Sequence, residues 1–459
     1  MAEKQQADQQ QAQTGKRRSE GEGLLRFGRE MAWALAMALV AIVYVIQAFK
    51  IPTGSMENSL LVGDFLLGLK FIYGAPVLPF THYKFPGLTD PKPGDVIIFK
   101  YPGRDKKDYI KRCVAGPGQT IEIDRNRVIV DGRALELPPK GQYVQDGLLM
   151  YPPAIKQVET VRSYYGVSDD DTLELTATDS MAYDTVVSRQ RHVVFTETDT
   201  IDVSPDRATQ VEGRYVNFGE IVVDQRLTYF APLRIPAKGD TITVDGLPLR
   251  EFVFLRHLIH QENPGRPVRT EIQLYLDGEY ANDKLVSVFV PNPRNGRVTP
   301  IRMNFAEIPW DAIDEWQRLD DNLQMIREQF PRREVEFRRF LHLDGQRVTQ
   351  YVVKKDNYFM MGDNRDNSLD SRYWGYLNRT NVKAKALILY FSWNSYRYCD
   401  RCHTDQAPDG HYYDGQSDAR CAECGRVLRR SVPFYKRIRF GRIGKLIRSW
   451  DGIPDKNGR

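Results

Sequence analysis

Positions 31–49, near the N-terminus, carry almost only apolar side chains. As a helix rising 1.5 Å per residue, this segment would be about 28 Å long, close to the hydrocarbon thickness of a bilayer. Its exit through Gln47, Ala48, Phe49 and Lys50 lacks the small-residue pattern of a signal-peptide cleavage site. The pattern therefore predicts an uncleaved transmembrane helix over residues 31–49.

The charges flanking this segment predict its orientation. Basic residues are concentrated before it, at Lys16, Arg17, Arg18, Arg26 and Arg29. The positive-inside rule then places residues 1–30 in the cytoplasm and everything after position 49 outside it. Residues 1–23 are rich in Gln, Ala and charged side chains, which is typical of a disordered tail. No later stretch is apolar enough over a sufficient length to span a bilayer.

Beyond the apolar segment, short alternating runs separated by turns predict a mostly β protein. The predicted strands cover residues 95–101, 109–115, 119–124, 128–130, 351–361 and 384–393. An Asp-Arg-Asn turn joins the third and fourth of these runs, so we expect a hairpin there.

A long interruption, residues 138–345, separates the two groups of strands. Its part from 172 to 203 is rich in Thr, Val and Asp, and this part and residues 241–244 are predicted to be β structure. Farther on, apolar side chains recur every three or four residues from Ile313 to Phe330, which predicts a helix ended by Pro331. We interpret the interruption as an accessory domain packed on the main sheet, without visible site chemistry.

Size and charge limit the function classes. At 459 residues the chain is long enough for two or three folded units. With 65 basic and 60 acidic side chains the net charge is only +5, so bulk charge does not indicate a nucleic-acid partner.

Four of the five cysteines form two close pairs, Cys399 with Cys402 and Cys421 with Cys424, separated by 18 residues. This spacing is typical of zinc ribbons, in which four thiolates hold a structural metal. Because the region is expected outside the cytoplasm, two disulfides are an alternative, as are free thiols. The remaining cysteine, Cys113, is predicted to be a small buried apolar residue.

A candidate nucleophile, Ser55, follows the apolar segment within six residues, in a turn shaped by Pro52 and Gly54. A serine hydroxyl is a weak nucleophile and needs a positioned base. None of the seven histidines lies in a suitable segment, whereas a desolvated lysine can serve as base. Lys111 shares one face of its predicted strand with Tyr109 and Cys113. The alternative is an edge-strand lysine that points at water.

Five segments together resemble bacterial signal peptidase I, the membrane-bound Ser/Lys endopeptidases that remove signal peptides from exported proteins. They are residues 51–56 (IPTGSM), 63–64 (GD), 94–99 (GDVIIF), 109–112 (YIKR) with 116–118 (GPG), and 362–372 (GDNRDNSLDSR). The segments occur in the family's order, and residues 439–444 are similar to its last strand. The resemblance covers roughly 150 of the 459 residues.

The resemblance implies roles for individual residues. Ser55 would be the nucleophile and Lys111 the general base. Ser368 would hydrogen-bond the lysine amine and hold it towards the serine. Asp370 and Arg372 are similar to the family's supporting ion pair beneath the site.

The resemblance also implies an oxyanion hole made of the Ser55 backbone N–H and the Thr53 hydroxyl. Many relatives carry serine at the second position, and threonine keeps the hydroxyl on a stiffer side chain. The chain departs from the family's common pattern in its larger insertion and its cysteine pairs. It also has one predicted membrane segment before the serine, where some relatives have two.

The expected architecture is a signal-peptidase-like β catalytic domain in two parts, preceded by a single transmembrane helix. A large inserted domain, β-rich with some helix, separates the two parts, and a four-cysteine module follows them. The expected boundaries are 1–30 for the cytoplasmic tail, 31–49 for the helix, 50–137 and 346–397 for the catalytic domain, 138–345 for the insertion, 398–426 for the zinc-ribbon-like module, and 427–459 for a last catalytic strand and basic tail.

The expected activity is cleavage of signal peptides after small residues of the A-x-A type, through an acyl-enzyme. It needs no catalytic cofactor, and any zinc would be structural. The expected partners are the signal peptides of membrane-tethered preproteins and the lipid bilayer, with no nucleic acid. The expected location is the inner membrane, with the catalytic domain on its extracytoplasmic face.

Three alternative functions are compatible with parts of this pattern. A self-cleaving repressor shares Ser/Lys chemistry but needs a DNA-binding module, and none is apparent in residues 1–50. A specialised maturation peptidase of a secretion or conjugation system stays open. An inactive membrane-anchored scaffold would be favoured by loss of Ser55 or Lys111, yet both are present.

Overall fold

The computed structural model describes residues 26–57, 59–77, 84–103, 107–145, 225–291, 298–394, 396–402, 404–406 and 432–450, together with the backbone of short strands between 148 and 215. The helices are α1 (Arg26–Val45), α2 (Gln225–Thr228), α3 (Leu249–Glu262), α4 (Trp316–Glu328) and α5 (Ser371–Trp374). The strands are β1 (Ile46–Lys50), β2 (Asp64–Leu69), β3 (Val96–Lys100), β4 (Asp108–Ala115), β5 (Thr120–Asp124), β6 (Arg127–Val130), β7 (Arg133–Ala134), β8 (Tyr143–Gln145), β9 (Leu148–Met150), β10 (Val186–Val187), β11 (His192–Val194), β12 (Ile201–Val203), β13 (Gln210–Val211), β14 (Arg214–Tyr215), β15 (Phe230–Arg234), β16 (Thr241–Thr243), β17 (Val268–Leu276), β18 (Glu279–Tyr280), β19 (Leu285–Pro291), β20 (Val298–Asn304), β21 (Val335–Leu343), β22 (Gln346–Val348), β23 (Gln350–Val352), β24 (Asn357–Met361), β25 (Leu377–Asn378), β26 (Val382–Ser392), β27 (Arg397–Cys399) and β28 (Thr404–Gln406).

Helix α1 is 20 residues long and apolar enough to cross a membrane, and none of its apolar stretch is buried in the protein. The predicted helical segment is wrong at its end, because β1 begins at Ile46. There the backbone leaves the helix to pair with β2, and Phe49 enters the core. The Lys70 amine donates to the carbonyls of Ile42 (2.9 Å) and Val43 (3.3 Å), which have no helical partner at this terminus.

The main sheet contains seven antiparallel strands in the order β1-β2-β26-β3-β4-β24-β25. The alternating runs that predicted β3, β4, β24 and β26 are confirmed. Strand β4 is flanked by β3 and β24, so Lys111 does not lie on an edge strand. Both faces of the second half of β4 are buried, which places this lysine in the interior.

The predicted hairpin is also confirmed, as β5 and β6. Its turn contains Arg125 and Asn126 with φ of 48° and 65°, the left-handed backbone that tight hairpin turns require. Strand β15, from the long interruption, pairs with β5. As a result, one apolar core runs from the end of β4 through this hairpin into the inserted region.

Within the inserted region, β17 and β21 form a nine-residue antiparallel ladder. The helix predicted after Ile313 is α4, and its apolar face buries Leu319, Leu323 and Ile326. The β-like stretch 172–203 lies mostly outside the described residues. The described part of the insertion thus packs on the main sheet through α3, α4 and β15.

The predicted last strand, residues 439–444, is not a strand. Its middle is a 3₁₀ turn, Phe440–Arg442, which directs the Arg442 guanidinium to Asp64. The segment still lies along β26, where Gly444 N–H donates to the Leu389 carbonyl at 2.8 Å. Pairing with a buried carboxylate therefore prevails over continuous strand pairing.

Candidate active site

Ser55 lies in a single 3₁₀ turn, Gly54–Met56, directly after β1 and Pro52. Before the turn, Ile51 N–H donates to the Asp64 carbonyl at 2.8 Å. After Ser55, the Glu57 N–H donates to the Gly54 carbonyl at 2.9 Å and closes the turn. The turn holds Ser55 at 9% exposure, at the boundary between core and solvent.

Lys111 meets this serine from β4. Its Nζ lies 2.5 Å from Ser55 Oγ, although 56 residues separate the two along the chain. The lysine is 1% exposed, and its amine lies 5.5 Å from the centre of the Tyr109 ring. The structure therefore brings together the serine and the lysine that the sequence indicated.

Burial lowers the pKa of the Lys111 amine from its ordinary 10.5 to about 8, because desolvation disfavours the ammonium form. The carboxylates of Asp370 and Asp363 oppose this and raise the pKa, whereas the Arg372 guanidinium lowers it further. A substantial neutral fraction is consequently present at mildly alkaline pH, as a general base requires.

Asp370 and Arg372 form a buried ion pair next to the lysine. Arg372 Nε lies 2.9 Å from Asp370 Oδ1, and Nη2 lies 2.9 Å from Oδ2. Asp370 Oδ2 also accepts from Gly362 N–H at 3.0 Å, which ties together the two ends of the 362–372 loop. Burial alone would raise the pKa of Asp370, but Arg372 holds it below its ordinary value, so the carboxyl stays ionised.

Ser368 is placed differently from the expectation. It is 5% exposed, and its hydroxyl acts on the Asp370 carboxylate, whose pKa it helps to lower, whereas the predicted bond to the Lys111 amine is not formed. The backbone at Gly362 approaches both Ser368 and the serine turn closely. A Cβ at this position would lie 2.2 Å from Ser368 Oγ and 2.5 Å from the Ser55 carbonyl oxygen. A side chain at position 362 would therefore push this loop away from the serine turn.

Thr53, the expected oxyanion donor, is exposed two residues before Ser55. Its backbone is extended, with φ −129° and ψ 156°. The threonine side chain is thus on the solvent-exposed side of the serine turn.

One pair of residues was not assigned a role from the sequence. Arg112 donates to both carboxylate oxygens of Asp363, at 2.8 and 2.7 Å, and both side chains are buried. Asp363 also accepts from the Ser59 hydroxyl at 2.5 Å. The pair joins β4 to the 362–372 loop and to the chain after Ser55. The sequence could have indicated this pair, because both residues lie in the conspicuous segments 109–112 and 362–372. Alternation along β4 places Arg112 on the face opposite Lys111.

Backbone bonds complete the enclosure of Ser55. Asn364 N–H donates to the Ser55 carbonyl at 3.1 Å, and the Asn364 side-chain amide donates to the Gly54 carbonyl at 3.1 Å. On the other side of the loop, Gln142 N–H donates to the Asp363 carbonyl at 2.9 Å. The serine turn is thereby fixed to the loop by hydrogen bonds from both the backbone and the side chain of Asn364.

The first cysteine pair lies on the β27–β28 hairpin. Cys399 is fully buried, and the Cys402 N–H donates to its sulfur at 3.5 Å. Cys421 and Cys424 lie outside the described residues. In the part of the chain that the structure describes, no three His, Cys, Asp or Glu side chains are grouped to hold a metal. Cys113 is buried among apolar residues, as predicted.

A hydroxyl in contact with a buried amine of lowered pKa is an arrangement suited to nucleophilic acyl transfer. The family profile described as signal peptidase, peptidase S26, matches residues 24–206 and 231–391 of this chain. The match covers about three quarters of the sequence and includes Ser55, Lys111 and the 362–372 loop. The chain therefore belongs to the peptidase S26 signal peptidases, a family of serine peptidases.

Several curated proteins are similar over part of their length. Signal peptidase I of Pseudomonas aeruginosa is 39% identical over 110 residues, which is 24% of this chain and 38% of that protein. Signal peptidase I of Aquifex aeolicus is 38% identical over 109 residues, 22% of this chain and 38% of its own. That of Buchnera aphidicola is 43% identical over 84 residues, 18% and 26% respectively. The matched segments span less than two fifths of these relatives.

The lowered pKa of Lys111 can be measured directly. With ¹³C-labelled lysine, the Cε resonance that disappears in the Lys111→Met variant should titrate near pH 8, because the buried ammonium is desolvated. A midpoint at the ordinary lysine value would contradict the buried position of the amine.

Proposed function

We propose that this protein is a membrane-anchored serine endopeptidase that removes N-terminal signal peptides from exported preproteins. The observation that carries the proposal is the 2.5 Å contact between Lys111 Nζ and Ser55 Oγ in a buried site. Family membership and the names of the similar proteins support it. Helix α1, which ends ten residues before the serine, supports an anchored enzyme whose active site lies near the membrane.

The proposed reaction starts with neutral Lys111, which takes the proton of the Ser55 hydroxyl as the oxygen attacks the scissile carbonyl. The lysine then gives this proton to the departing amine, leaving the signal peptide bound to Ser55 as an ester. A water molecule deprotonated by Lys111 hydrolyses the ester and regenerates the serine. In this scheme the Thr53 hydroxyl and the Ser55 N–H stabilise the oxyanion in both steps.

The substrate is proposed to bind as an extended chain next to β4. Strand β24 pairs with β4 at Arg112 and beyond, and then turns away at Gly362. On this side the backbone of Ile110 has no strand partner among the described residues, so a chain could add there by main-chain pairing. We propose that shallow pockets beside this chain accept small side chains at the cleavage site, as the A-x-A rule requires.

Asp370 and Arg372 are proposed to support the site rather than to react. Their bidentate pairing keeps the carboxylate ionised and fixes the loop that carries Ser368. Ser368 is proposed to turn its hydroxyl towards the Lys111 amine when substrate binds, which would direct the amine's lone pair at Ser55. No metal or organic cofactor takes part in this scheme.

Replacing either member of the dyad should abolish preprotein cleavage. In Ser55→Ala and Lys111→Ala, kcat/KM should fall by about 10⁴-fold or more, because the nucleophile and its base act as a unit. Lys111→Arg should fail equally, since a guanidinium is not deprotonated in proteins. The assay is cleavage of a preprotein by detergent-solubilised protein, with the new N-terminus sequenced.

Ser287→Ala, a change on β19 in the inserted region, provides the matched control and should keep wild-type activity. All variants should insert into membranes equally. Substantial turnover by Ser55→Ala or Lys111→Ala would show that other residues perform the cleavage.

Thr53→Val removes the proposed oxyanion donor while preserving the shape of the side chain. We expect kcat to fall by about 10²–10³-fold with little change in KM, since the bond forms only in the transition state. Thr53→Ser keeps the hydroxyl and should retain most activity. Equal kcat values for Thr53→Val and wild type would place the second donor elsewhere.

The four paired cysteines are proposed to hold one structural zinc ion. The Cys402 N–H bond to Cys399 supports a turn with both sulfurs on one side. Four thiolates would close a tetrahedral shell, leaving no open position for water.

Replacing Cys399 and Cys402 by serine should therefore lower Tm more than it lowers the activity per folded molecule, because the metal stabilises the hairpin and does not react. Elemental analysis of protein purified without chelator measures the metal directly. About one zinc per chain is expected. Absence of metal with all four cysteines oxidised by mass spectrometry would mean two disulfides instead.

A further inference from the structure

The loop that carries Asp370 and Arg372 is held from outside by α4 of the inserted region. The Trp316 indole N–H, in the first turn of α4, donates to the Arg372 carbonyl at 2.8 Å. The Gln317 side-chain amide donates to the same carbonyl at 3.3 Å. Helix α5 is a single turn, so carbonyls such as that of Arg372 need partners from elsewhere, and α4 supplies two donors to this carbonyl.

Helix α3 of the inserted region holds the next part of the same segment. His257 Nδ1 lies 2.9 Å from the Trp374 carbonyl oxygen. Burial lowers the pKa of His257 to about 4, so the ring is neutral and its Nδ1 carries the donated proton. The Gln261 side chain donates to the Tyr376 carbonyl at 2.8 Å and accepts from Asn378 N–H at 2.9 Å.

Close packing reinforces these hydrogen bonds at Gly375. Its φ of 85° lies in the left-handed region, and a Cβ there would be 2.4 Å from the Phe254 ring of α3. Helix α3 and the segment after α5 can approach this closely only because the residue is glycine. The segment from Arg372 to Asn378 is thus in continuous contact with the insertion.

The inner side of the same segment reaches the reacting groups. The Arg372 side chain holds Asp370, and Asp370 in turn accepts from the N–H of Gly362. Gly362 lies against the Ser55 carbonyl, and both Asp370 and Arg372 act on the pKa of Lys111. Arg372 is consequently bound on both sides, by its backbone to α4 and by its side chain to Asp370.

We propose that Trp316 is a positioning residue for the Ser55–Lys111 pair, acting through Arg372 and Asp370. The inserted region would then be part of the catalytic framework, because α4 would fix the position of the 362–372 loop relative to Lys111. This inference rests on the proposed peptidase function, but the statement that α4 holds the 362–372 loop in place does not depend on that function.

The effect expected from losing the Trp316 bond follows from the geometry of the site. A displacement of about 1 Å at a reacting group can reduce a rate by about 10²-fold. Gln317 still reaches the Arg372 carbonyl in a Trp316→Phe variant, so the displacement should be smaller. We expect kcat to fall by about 10-fold with little change in KM, since a small displacement acts on the alignment of the reacting groups and this alignment matters most in the transition state.

The test variant is Trp316→Phe, which removes the indole N–H and keeps an aromatic ring. The matched control is Trp310→Phe in the same region, where the indole packs on Phe305 with ring centres 5.3 Å apart. Trp310 is 4% exposed and Trp316 only partly buried, so the control should lose at least as much stability. Gln317→Met, which removes the second donor at similar volume, serves if Trp316→Phe does not fold.

Two readouts separate positioning from stability. Amide hydrogen exchange of residues 362–375 should accelerate in Trp316→Phe and not in Trp310→Phe, because the Gly362 and Gly375 amides depend on this loop. The midpoint of the acid limb of kcat/KM should also shift in the test variant only, since Asp370 and Arg372 act on Lys111.

Faster exchange in the loop together with lower kcat and a shifted pH profile supports the proposal. Unchanged exchange, or faster exchange with wild-type kcat and pH profile, overturns it while the peptidase function stands. Equal losses of activity in the test and control variants also overturn it, because stability would then be the cause. A wild-type protein that cleaves no preprotein refutes the proposed function, and the exchange measurement still decides whether α4 holds the loop.

Discussion

The structure depends on keeping the Lys111 amine dry and next to Ser55. Two carboxylates, those of Asp370 and Asp363, lie close enough to stabilise the ammonium form. Each of them is paired with a buried guanidinium, Asp370 with Arg372 and Asp363 with Arg112. The positive charges of the guanidinium groups offset much of the effect of the carboxylates on Lys111. Desolvation therefore remains the largest influence and lowers the pKa of the lysine to about 8.

This constraint explains why the surrounding elements are bound so tightly to one another. Buried ion pairs tolerate little movement, because separating them leaves an uncompensated charge in the interior. The 362–372 loop is joined to β4 by Arg112, to the serine turn by Asn364 and to the inserted region by Trp316. The apolar core likewise continues from β4 into the insertion through β15. An insertion that appears separate in the sequence is thus continuous in space with the candidate site.

Local patterns predicted much of the fold. Alternation found β3, β4, β24 and β26, and three-to-four spacing found α4. Two predictions failed where a tertiary contact prevailed over a local preference: the apolar segment turns into β1 because β2 offers backbone partners, and residues 440–442 form a turn because Arg442 reaches Asp64. The resemblance found Ser55 and Lys111, but it implied a hydrogen bond between Ser368 and the Lys111 amine that this arrangement lacks.

The sequence by itself determined the apolar segment, the β-rich pattern and the motifs that carry the family resemblance, because these depend on neighbouring residues and on side-chain chemistry. Only the tertiary structure decided the 2.5 Å contact across 56 residues, the lowered pKa of Lys111 and the support of Arg372 by Trp316. A pKa depends on the water excluded and the charges gathered around a group. For Lys111 those charges lie more than 250 positions away along the chain, at Asp363, Asp370 and Arg372. No local pattern around Lys111 records them.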